Sequence, residues 1–445
     1  MEQIHEWFTD MARRIIYLLA RNLVAPFALV IIVLWALRVR KATLRRQHRR
    51  EKPRLIYGPV PIINIKYLCQ AMRKKSYEAK TFVYEVYSIH KRGDYDYLLS
   101  DFLKMPRLPE WMKKVVVAVW GPYAAFLWLL PRFDVFHYFF DGGFLARTSF
   151  RFLEVQLLHL AGKKVIVMPY GSDVAVPTLI RSLPFRQAIM MRYSYLGARE
   201  KLTLKWIRYF TLRADFIVAC LFHSETLPAW NLLTTHYYPI DTENWFPNGH
   251  DSAHNGKDGP VTVVHASNHR ELKGTEFLIA ACQELKAEGY QIQLRLLEQM
   301  PNTEVHHIMR QSDIIAEQFI HGYALAAMEG MSLAKPVMSN LSDDYYYRVH
   351  RLHTGLDECP VVNTSIDQIK NNLRILITNP DLRRQLGQAG RQYVIKYHSY
   401  EIVAKMWDLV YQKIWYREKI DLRVWHPDRV TDQIDSQASQ ECSRR

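Results

Sequence analysis

Short apolar runs alternate with longer amphipathic segments through most of the chain. The runs have strand length and end in loops rich in glycine or proline, and helices are expected between them, beginning for example near Asn64 and Leu202. The apolar runs that predict strands are residues 54–57, 133–140, 164–169, 214–220, 261–265 and 313–319. This alternation predicts an α/β protein built from doubly wound sheets.

The longest apolar stretch lies near the N-terminus. Residues 23–37 carry no charge, and only Arg21 and Asn22 interrupt the wider stretch 15–37. About 20 residues cross a bilayer as a helix, so residues 15–37 predict one membrane-spanning helix with Arg21 extended toward the interface. The alternative is a basic amphipathic helix that lies in the membrane interface.

A dense basic segment follows this stretch. Its cations are Arg38, Arg40, Lys41, Arg45, Arg46, Arg49, Arg50, Lys52 and Arg54. The positive-inside rule then places the N-terminus outside and the rest of the chain in the cytoplasm, as in a protein of the bacterial inner membrane. Anionic membrane lipids are the expected partners of these cations. Nucleic acid is not expected as a partner, because no aromatic residues are interleaved with them.

A second apolar run covers residues 115–130 and contains Gly121 and Pro122. It is too short and too interrupted to predict a span. Two interpretations remain equally open, a helix of the first domain that presses on the bilayer and a fully buried helix.

Composition limits the class of protein. A chain of 445 residues with 49% hydrophobic content can bury a large core and predicts two globular domains. Its five cysteines have no paired spacing, which argues against a disulfide framework or a cysteine zinc site and favours a reducing compartment. The net charge of +15 is explained largely by the basic segment after residue 37.

The chemistry concentrates between His265 and Pro336. After the strand at 261–265, a loop carries Arg270, Lys273 and Gly274 and leads into a helix predicted over 275–285. Cations beside a glycine and a helix N-terminus supply charge and backbone N–H groups, so the loop is suited to phosphate.

A second element of the same region follows the strand at 313–319. The chain turns at His321 and Gly322, enters a helix that carries Glu329, and forms another strand near Pro336. Gly322 and Glu329 are seven residues apart, about two helical turns, so the carboxylate and the glycine loop share one face. A carboxylate placed there can accept hydrogen bonds from sugar hydroxyls.

Four short motifs carry a resemblance to a known family. They are Lys273-Gly274-Thr275, Gly322-Tyr323, Met328-Glu329-Gly330-Met331 and Lys335-Pro336-Val337. The chain resembles glycosyltransferase family 4 of the membrane-associated, bacterial surface-glycan type, most closely in the donor-binding half and more loosely over residues 52–415. The resemblance implies a GT-B fold, in which two Rossmann-like doubly wound domains face a cleft, with the N-terminal membrane helix attached.

The resemblance also implies an activity and a set of residues. The activity is transfer, with retention, of a sugar from a nucleotide diphosphate donor to a lipid-linked or cell-surface glycan acceptor, with neither metal nor cofactor. Arg270 and Lys273 would bind the diphosphate, Glu329 the ribose, and Gly274, Gly322 and Tyr323 would complete the donor site. His321, Arg270 and Lys273 are the candidate catalytic residues.

Two positions differ from the family pattern. His321 stands where the family has the first of two glutamates, and Tyr170 stands where many members have histidine. These differences leave open a catalytically altered binding or scaffold subunit of a glycan assembly complex. A GT-B epimerase is a further alternative, but it would need carboxylates near the sugar that the sequence does not identify.

The acceptor side is expected in the first domain. Ligands of open α/β sheets gather at the carboxyl ends of strands, which makes Gly58, Tyr170, Gly171 and Asp173 candidates. His137 alternates within a strand and is typical of a core histidine, although it could also face the cleft.

Two further signals favour surface roles. Asp94-Tyr95-Asp96 has the form of a metal-binding D-x-D motif but follows a charged turn, which indicates a surface loop. His350 and His353, with Arg348 and Arg351, indicate a solvated basic helix face.

These assignments divide the chain into six parts. The predicted parts are the membrane anchor with its basic segment (1–51), the first Rossmann-like domain (52–249), a linker (250–259), the second Rossmann-like domain (260–395), crossover helices (396–425) and a disordered tail (426–445).

Overall fold

The computed structural model describes residues 2–102, 109–221, 223–235, 237–249, 253–342, 344–423 and 425–428. Side chains are described from residue 22 onward, except at 110, 111 and 344. The predicted disordered tail therefore lies almost entirely outside the described residues, as does part of the predicted linker.

Two sheets organise the described chain. The strands are β1 Leu55–Tyr57, β2 Ala79–Val83, β3 Tyr97–Leu98, β4 Val135–Tyr138, β5 Lys164–Val167, β6 Phe216–Ala219, β7 Leu232–Leu233, β8 Val261–Ala266, β9 Ile292–Leu297, β10 Ile314–Gln318, β11 Val337–Ser339 and β12 Val362–Asn363. The first sheet has the order β3-β2-β1-β4-β5-β6-β7 and the second β12-β11-β10-β8-β9. Every paired strand is parallel.

Helices cover both faces of these sheets. They are α1 Glu2–His48, α2 Ile63–Lys74, α3 Glu110–Leu129, α4 Glu154–Leu160, α5 Leu183–Arg192, α6 Tyr195–Thr211, α7 His223–Thr226, α8 Arg270–Lys273, α9 Thr275–Ala287, α10 Asn302–Arg310, α11 Leu325–Ser332, α12 Asp344–His353, α13 Ile369–Thr378, α14 Pro380–His398 and α15 Tyr400–Trp415. The prediction that α6 begins near Leu202 is wrong, because the helix starts one and a half to two turns earlier, directly after Ser194.

Strand order reverses once in each sheet. The two switch points lie between β1 and β4 in the first sheet and between β8 and β10 in the second. Doubly wound sheets bind ligands outside the carboxyl ends of their strands at such points. The architecture predicted from the alternation of runs is confirmed, with two doubly wound domains, each carrying one such crevice.

Helix α15 returns the chain to the first domain. Trp407 and Tyr411 are fully buried, and the Tyr411 hydroxyl lies 3.0 Å from both the Tyr57 hydroxyl and His137 Nε2. Ile240 also pairs with Ser399 through an isolated parallel bridge. The hydrophobic core is continuous from the first sheet through α15 into the second domain.

Helix α1 contains the apolar N-terminal stretch and packs along the first domain. Its buried positions recur at three- or four-residue spacing, at Ala25, Ala28, Ile32, Ala36 and Val39, and the helix packs against α3 and α4. The opposite face exposes large apolar side chains, namely Leu23, Phe27, Val30, Ile31, Leu34 and Leu37.

By length and composition, two described helical segments could cross a membrane, Asn22–His48 and Met112–Leu129. The first contains part of the stretch predicted to span. The second covers all but the last residue of the run 115–130, for which no span was predicted, and its C-terminal turns are buried at Phe126 and Leu129.

Candidate functional site

The donor loop predicted at residues 270–274 lies at the carboxyl edge of the second sheet. Gly274 ends the one-turn helix α8 and directly precedes α9. Its φ of +72° is left-handed, a conformation that glycine adopts without strain. Lys273 is largely buried, and its Nζ lies 3.4 Å from Oε1 of the buried Glu317. Arg270 is half-exposed and pairs with Glu276 and Glu298.

A chain of hydrogen bonds holds the end of β8 to the start of α9. His265 donates from Nδ1 to the carbonyl oxygen of Ala316 at 2.7 Å, so its Nε2 accepts from the Thr275 hydroxyl at 2.8 Å. Ser267 Oγ lies 2.9 Å from the same hydroxyl. Burial lowers the pKa of His265 to about 3, so the imidazole stays neutral. This network fixes the direction in which the loop with Lys273 leaves the sheet.

The glycine turn after β10 is fixed by close packing. A Cβ atom at Gly322 would lie 2.3 Å from the carbonyl oxygen of Asn340, so no other residue fits without movement of the backbone. The next residue, Tyr323, has φ +68°, and its N–H donates to Ser339 Oγ, which donates to Glu317 Oε2 at 2.9 Å. Glu317 therefore connects the lysine loop with the glycine turn.

Tyr323 and Glu329 occupy different environments. The Tyr323 hydroxyl lies 2.6 Å from His398 Nε2 inside the core, so the side chain points away from the lysine loop. Glu329 is buried on α11 and accepts a hydrogen bond from the Tyr67 hydroxyl of the first domain at 3.3 Å. Burial raises the pKa of Glu329 to about 8.

His321 lies between aromatic rings of both domains. Its ring stacks on Phe185 at a centroid distance of 4.5 Å and on Tyr347 at 5.5 Å. Burial lowers the pKa of His321 to about 3. A neutral imidazole exchanges hydrogen bonds without carrying charge, which is a different property from that of an ionised glutamate at the same position.

The first domain covers this region through α5. Helix α5 packs on α8, and Arg192 Nε lies 3.2 Å from His269 Nδ1. On α12, the Nε2 atom of the buried His350 accepts from the Leu221 N–H at 3.0 Å. The prediction that His350 is on a solvated face is therefore wrong, because α12 packs against the first domain. His353 is exposed as predicted.

The predicted acceptor-side residues gather at the carboxyl edge of the first sheet, with one exception. Asp173 accepts from the backbone N–H groups of Phe140, Tyr170 and Gly171, which ties the loops after β4 and β5 together. Gly58 has φ +152°, and a Cβ atom there would lie 1.9 Å from Phe82 O. His137 is the exception. It is a core residue held between Ile56 O and the Tyr411 hydroxyl, because its side chain faces α15.

A cavity of about 300 Å³ lies beside these loops. The carboxylate of Asp141 lines it, and the Tyr170 hydroxyl donates to Asp141 Oδ2 at 3.0 Å. Burial raises the pKa of Asp141 to about 6. Sequence reasoning missed Asp141, although its position directly after a strand end was a usable signal. It also missed Glu317 and Tyr67, for which the local sequence carries no comparable signal.

The D-x-D segment is bound to neighbouring cations. Asp94 pairs with Lys66 at 2.6 Å, and Asp96 pairs with Arg73 at 2.6 Å. Elsewhere in the described residues, Glu358, His426 and Asp428 come close enough to hold an ion, but the ammonium of Lys396 already contacts both carboxylates.

The likeness of this chain to known proteins is one of structure. No protein-family model and no curated protein sequence matches it. Among solved structures, an α-glucosyltransferase in complex with UDP and a 13-mer DNA with a central A:G mismatch is similar with a TM-score of 0.51 at 11% identity, over 80% of this chain and 98% of that one.

Two more distant structures cover similar spans. The glycosyltransferase SnogD from Streptomyces nogalater has a TM-score of 0.40 at 12% identity, over 81% of this chain and 100% of its own. The wall teichoic acid polymerase TagF has a TM-score of 0.39 at 11% identity, over 92% and 98%. The two parallel-sheet domains, their paired crevices and the likeness to the glucosyltransferase give this chain the GT-B fold.

Proposed function

We propose that the protein is a glycosyltransferase that moves a sugar from a nucleotide diphosphate donor to a lipid-linked or cell-surface glycan acceptor. One observation carries the proposal. Lys273, the Gly322 turn and Glu329 meet at the switch point of the second sheet and face the first domain. The fold likeness to a glucosyltransferase that holds UDP supports a nucleotide at that edge.

Two cations would assist the nucleotide diphosphate as it leaves the sugar. Negative charge builds on the diphosphate as the bond to the sugar breaks, and Lys273, at the end of α8, is positioned to stabilise it. A diphosphate would replace Glu317 as the partner of Lys273 and Glu298 as a partner of Arg270. These cations would take the role that a metal ion has in other transferases, and family 4 membership and retention of configuration belong to the same proposal.

We assign the reaction to the cytoplasmic face of a membrane. The apolar face of α1 and the cations that follow it, including Arg38, Arg40 and Lys41, support attachment to anionic lipids. Attachment keeps the cleft near a lipid-linked acceptor.

A binding subunit without turnover is the second candidate, and His321 is the observation that favours it. The ring is neutral, buried and stacked on Phe185, where the family has a glutamate. In a transferase, His321→Ala should lower turnover more than donor affinity. In His321→Glu, a gain in donor hydrolysis or transfer would mean that the wild type is a weakened catalyst, whereas a loss would show a specific role for the histidine.

A panel of nucleotide sugars screened by thermal shift, followed by transfer assays, tests the proposal. We expect one nucleotide sugar to raise the unfolding temperature of the wild type. The enzymatic assignment fails if no nucleotide sugar binds the wild type or either His321 variant at millimolar concentration. Binding without turnover in all three proteins would favour the subunit.

A further inference from the structure

The cavity beside β1, β2 and β4 has a basic wall and an apolar wall. Its described lining residues include Tyr84, Tyr87, Asp141, Arg147, Arg151, Arg199, Leu202 and Trp206. It lies at the carboxyl edge of the first sheet, beside the loops that follow β1, β2 and β4. Pro59 and Pro61, which directly follow Gly58, form another side.

Three guanidinium groups line this cavity. Arg147 pairs with Glu85 at 2.7 Å and lies over the Tyr84 ring at 4.5 Å. Arg151 and Arg199 lie over the rings of Phe152 and Tyr195, and in the described part of the chain neither forms an ion pair with a carboxylate. Arg199 and Arg147 also attract the Asp141 carboxylate electrostatically. Because no ion pair in the described part of the chain holds Arg151 or Arg199, these guanidinium groups and that of Arg147 form a site for an anion with several oxygens, since guanidinium matches phosphate geometry.

Asp141 favours a ligand of this cavity that also carries a hydrogen-bond donor. Its Oδ2 accepts from Tyr170, whereas its Oδ1 is buried and has no hydrogen-bond partner among the described residues. A buried oxygen without a hydrogen bond lowers the stability of the folded protein, and a hydroxyl donor from a ligand would restore it. The cavity is therefore suited to a ligand that carries both an anion and a hydroxyl group.

The loop that carries two of these arginines touches the apolar helix. Ser149 lies between Arg147 and Arg151, and its hydroxyl donates to Asn22 Oδ1 of α1 at 3.4 Å. Leu202 and Trp206 of α6 supply apolar surface inside the cavity. The exposed apolar face of α1 begins at Leu23, directly after Asn22, so the loop with these arginines lies beside apolar surface suited to a hydrocarbon tail.

We propose that this cavity binds the acceptor, that the acceptor is a sugar or polyol joined to a lipid through a phosphate or diphosphate, and that Arg147, Arg151 and Arg199 bind this group. Asp141 accepts a hydrogen bond from the acceptor hydroxyl and so positions it toward the donor. This inference rests on the proposed glycosyl transfer for the role of the bound lipid, but the binding itself can be measured without it.

The test uses the full chain in non-ionic detergent micelles and farnesyl diphosphate as the probe, measured by titration calorimetry. We expect farnesyl diphosphate to bind the wild type. Its affinity for the double variant Arg151→Ala/Arg199→Ala should be lower by about tenfold or more, the usual scale for charged hydrogen bonds. Arg208→Ala, on α6 outside the cavity lining, is the matched control and should bind normally. Unchanged binding in the double variant would overturn the site.

Two further measurements compare lipid-linked with inorganic diphosphate, and the arginine cavity with the loop that carries Lys273. Inorganic diphosphate should bind more weakly than farnesyl diphosphate, and equal affinity would overturn the lipid-linked acceptor. Lys273→Ala should leave farnesyl diphosphate binding intact, whereas a loss would place the probe in the donor loop and overturn the site. If farnesyl diphosphate binds at the arginines while no nucleotide sugar binds, the acceptor inference stands and the proposed transferase falls.

Asp141→Asn tests the hydroxyl contact. In transfer assays it should raise the KM for the acceptor and leave the affinity for the donor nucleotide unchanged, with an unfolding temperature close to that of the wild type. An unchanged KM would overturn the assignment of Asp141, and a parallel loss of donor affinity would show a structural role instead.

Discussion

The hydroxyl of Tyr67 in the first domain donates a hydrogen bond to Glu329 Oε1 in the second domain at 3.3 Å, although 262 residues separate them in sequence. In the proposed transferase, a donor ribose needs the same carboxylate. Nucleotide binding and the contact between the domains would therefore share the carboxylate of Glu329, of which Tyr67 occupies Oε1.

Nucleotide affinity should rise with pH through the range set by Glu329. Burial raises the pKa of Glu329 to about 8, so the group is mostly protonated at pH 6 and mostly ionised at pH 9. The ionised form accepts ribose hydrogen bonds, and binding below pH 8 must release its proton. We expect affinity to rise up to about tenfold per pH unit below 8 and to level off above it. Calorimetry in buffers of different ionisation enthalpy would count the released proton.

Glu329→Gln is the control for this prediction. The amide does not titrate, so only the phosphate ionisation of the nucleotide itself should remain in the pH profile. An identical profile in wild type and variant would show that Glu329 is not in the nucleotide site.

Lys273→Ala should weaken nucleoside diphosphate binding by about ten- to a hundredfold, the scale of a charge-assisted hydrogen bond in a partly buried site. Nucleoside binding should change far less, because the lysine faces phosphate. Arg270→Ala should act in the same direction.

Lys286→Ala provides the comparison for Lys273→Ala. Lys286 is exposed in the last turn of the same helix, α9, and should leave diphosphate binding unchanged. Equal behaviour of the two lysine variants in calorimetry would contradict the placement of the donor loop.

The sequence predicted the strands, turns and helices that carry the proposed donor site, but not their contacts with the first domain. Lys273, Gly322 and Glu329 are placed by local rules, since a strand end, a glycine turn and helical spacing each act over a few residues. The contacts of Phe185 with His321 and of Leu221 with His350 depend on how two domains dock. Local periodicity contains no information on docking, which is why His350 was expected on a solvated face.

Gly322→Ala should destabilise the protein by roughly 1–3 kcal/mol, the range for overpacked sites, because its new methyl group would meet Asn340 O at 2.3 Å. Donor affinity should fall with it, since the backbone that shifts belongs to the turn. Gly93→Ala is the control, because a Cβ atom there has no heavy atom within 4 Å. Denaturant unfolding compares the two, and equal midpoints would show that the turn yields without cost.

Polar substitutions on the open face of α1 should release the protein from lipid. We expect the double variant Phe27→Ser/Leu34→Ser to float less with anionic liposomes than the wild type, because both side chains are exposed and apolar. Ile375→Ser alters an exposed apolar residue of similar kind on α13 and should leave flotation unchanged. If flotation is equal for all three proteins, the face of α1 does not contact lipid.

Membrane orientation is a separate prediction. Protease added to the outside of right-side-out vesicles should leave residues 52–445 intact, since the basic segment after residue 37 is expected to remain on the cytoplasmic side. Digestion of the two domains from outside would contradict the topology.

Helix α1 is held to the first domain by polar contacts at Trp35 and near its C-terminus. Trp35 donates to Leu127 O, and Arg46 lies 3.3 Å from Asp134, while α15 inserts Trp407 and Tyr411 into the same domain. The second domain thus joins the first through two chain crossings, one near residue 249 and one at Ser399. If the cleft opens, both chain segments bend at the same time. Two segments that bend together form one hinge, with one main axis of rotation. With α1 attached to a membrane, the first domain would be the stationary half and the second domain would swing.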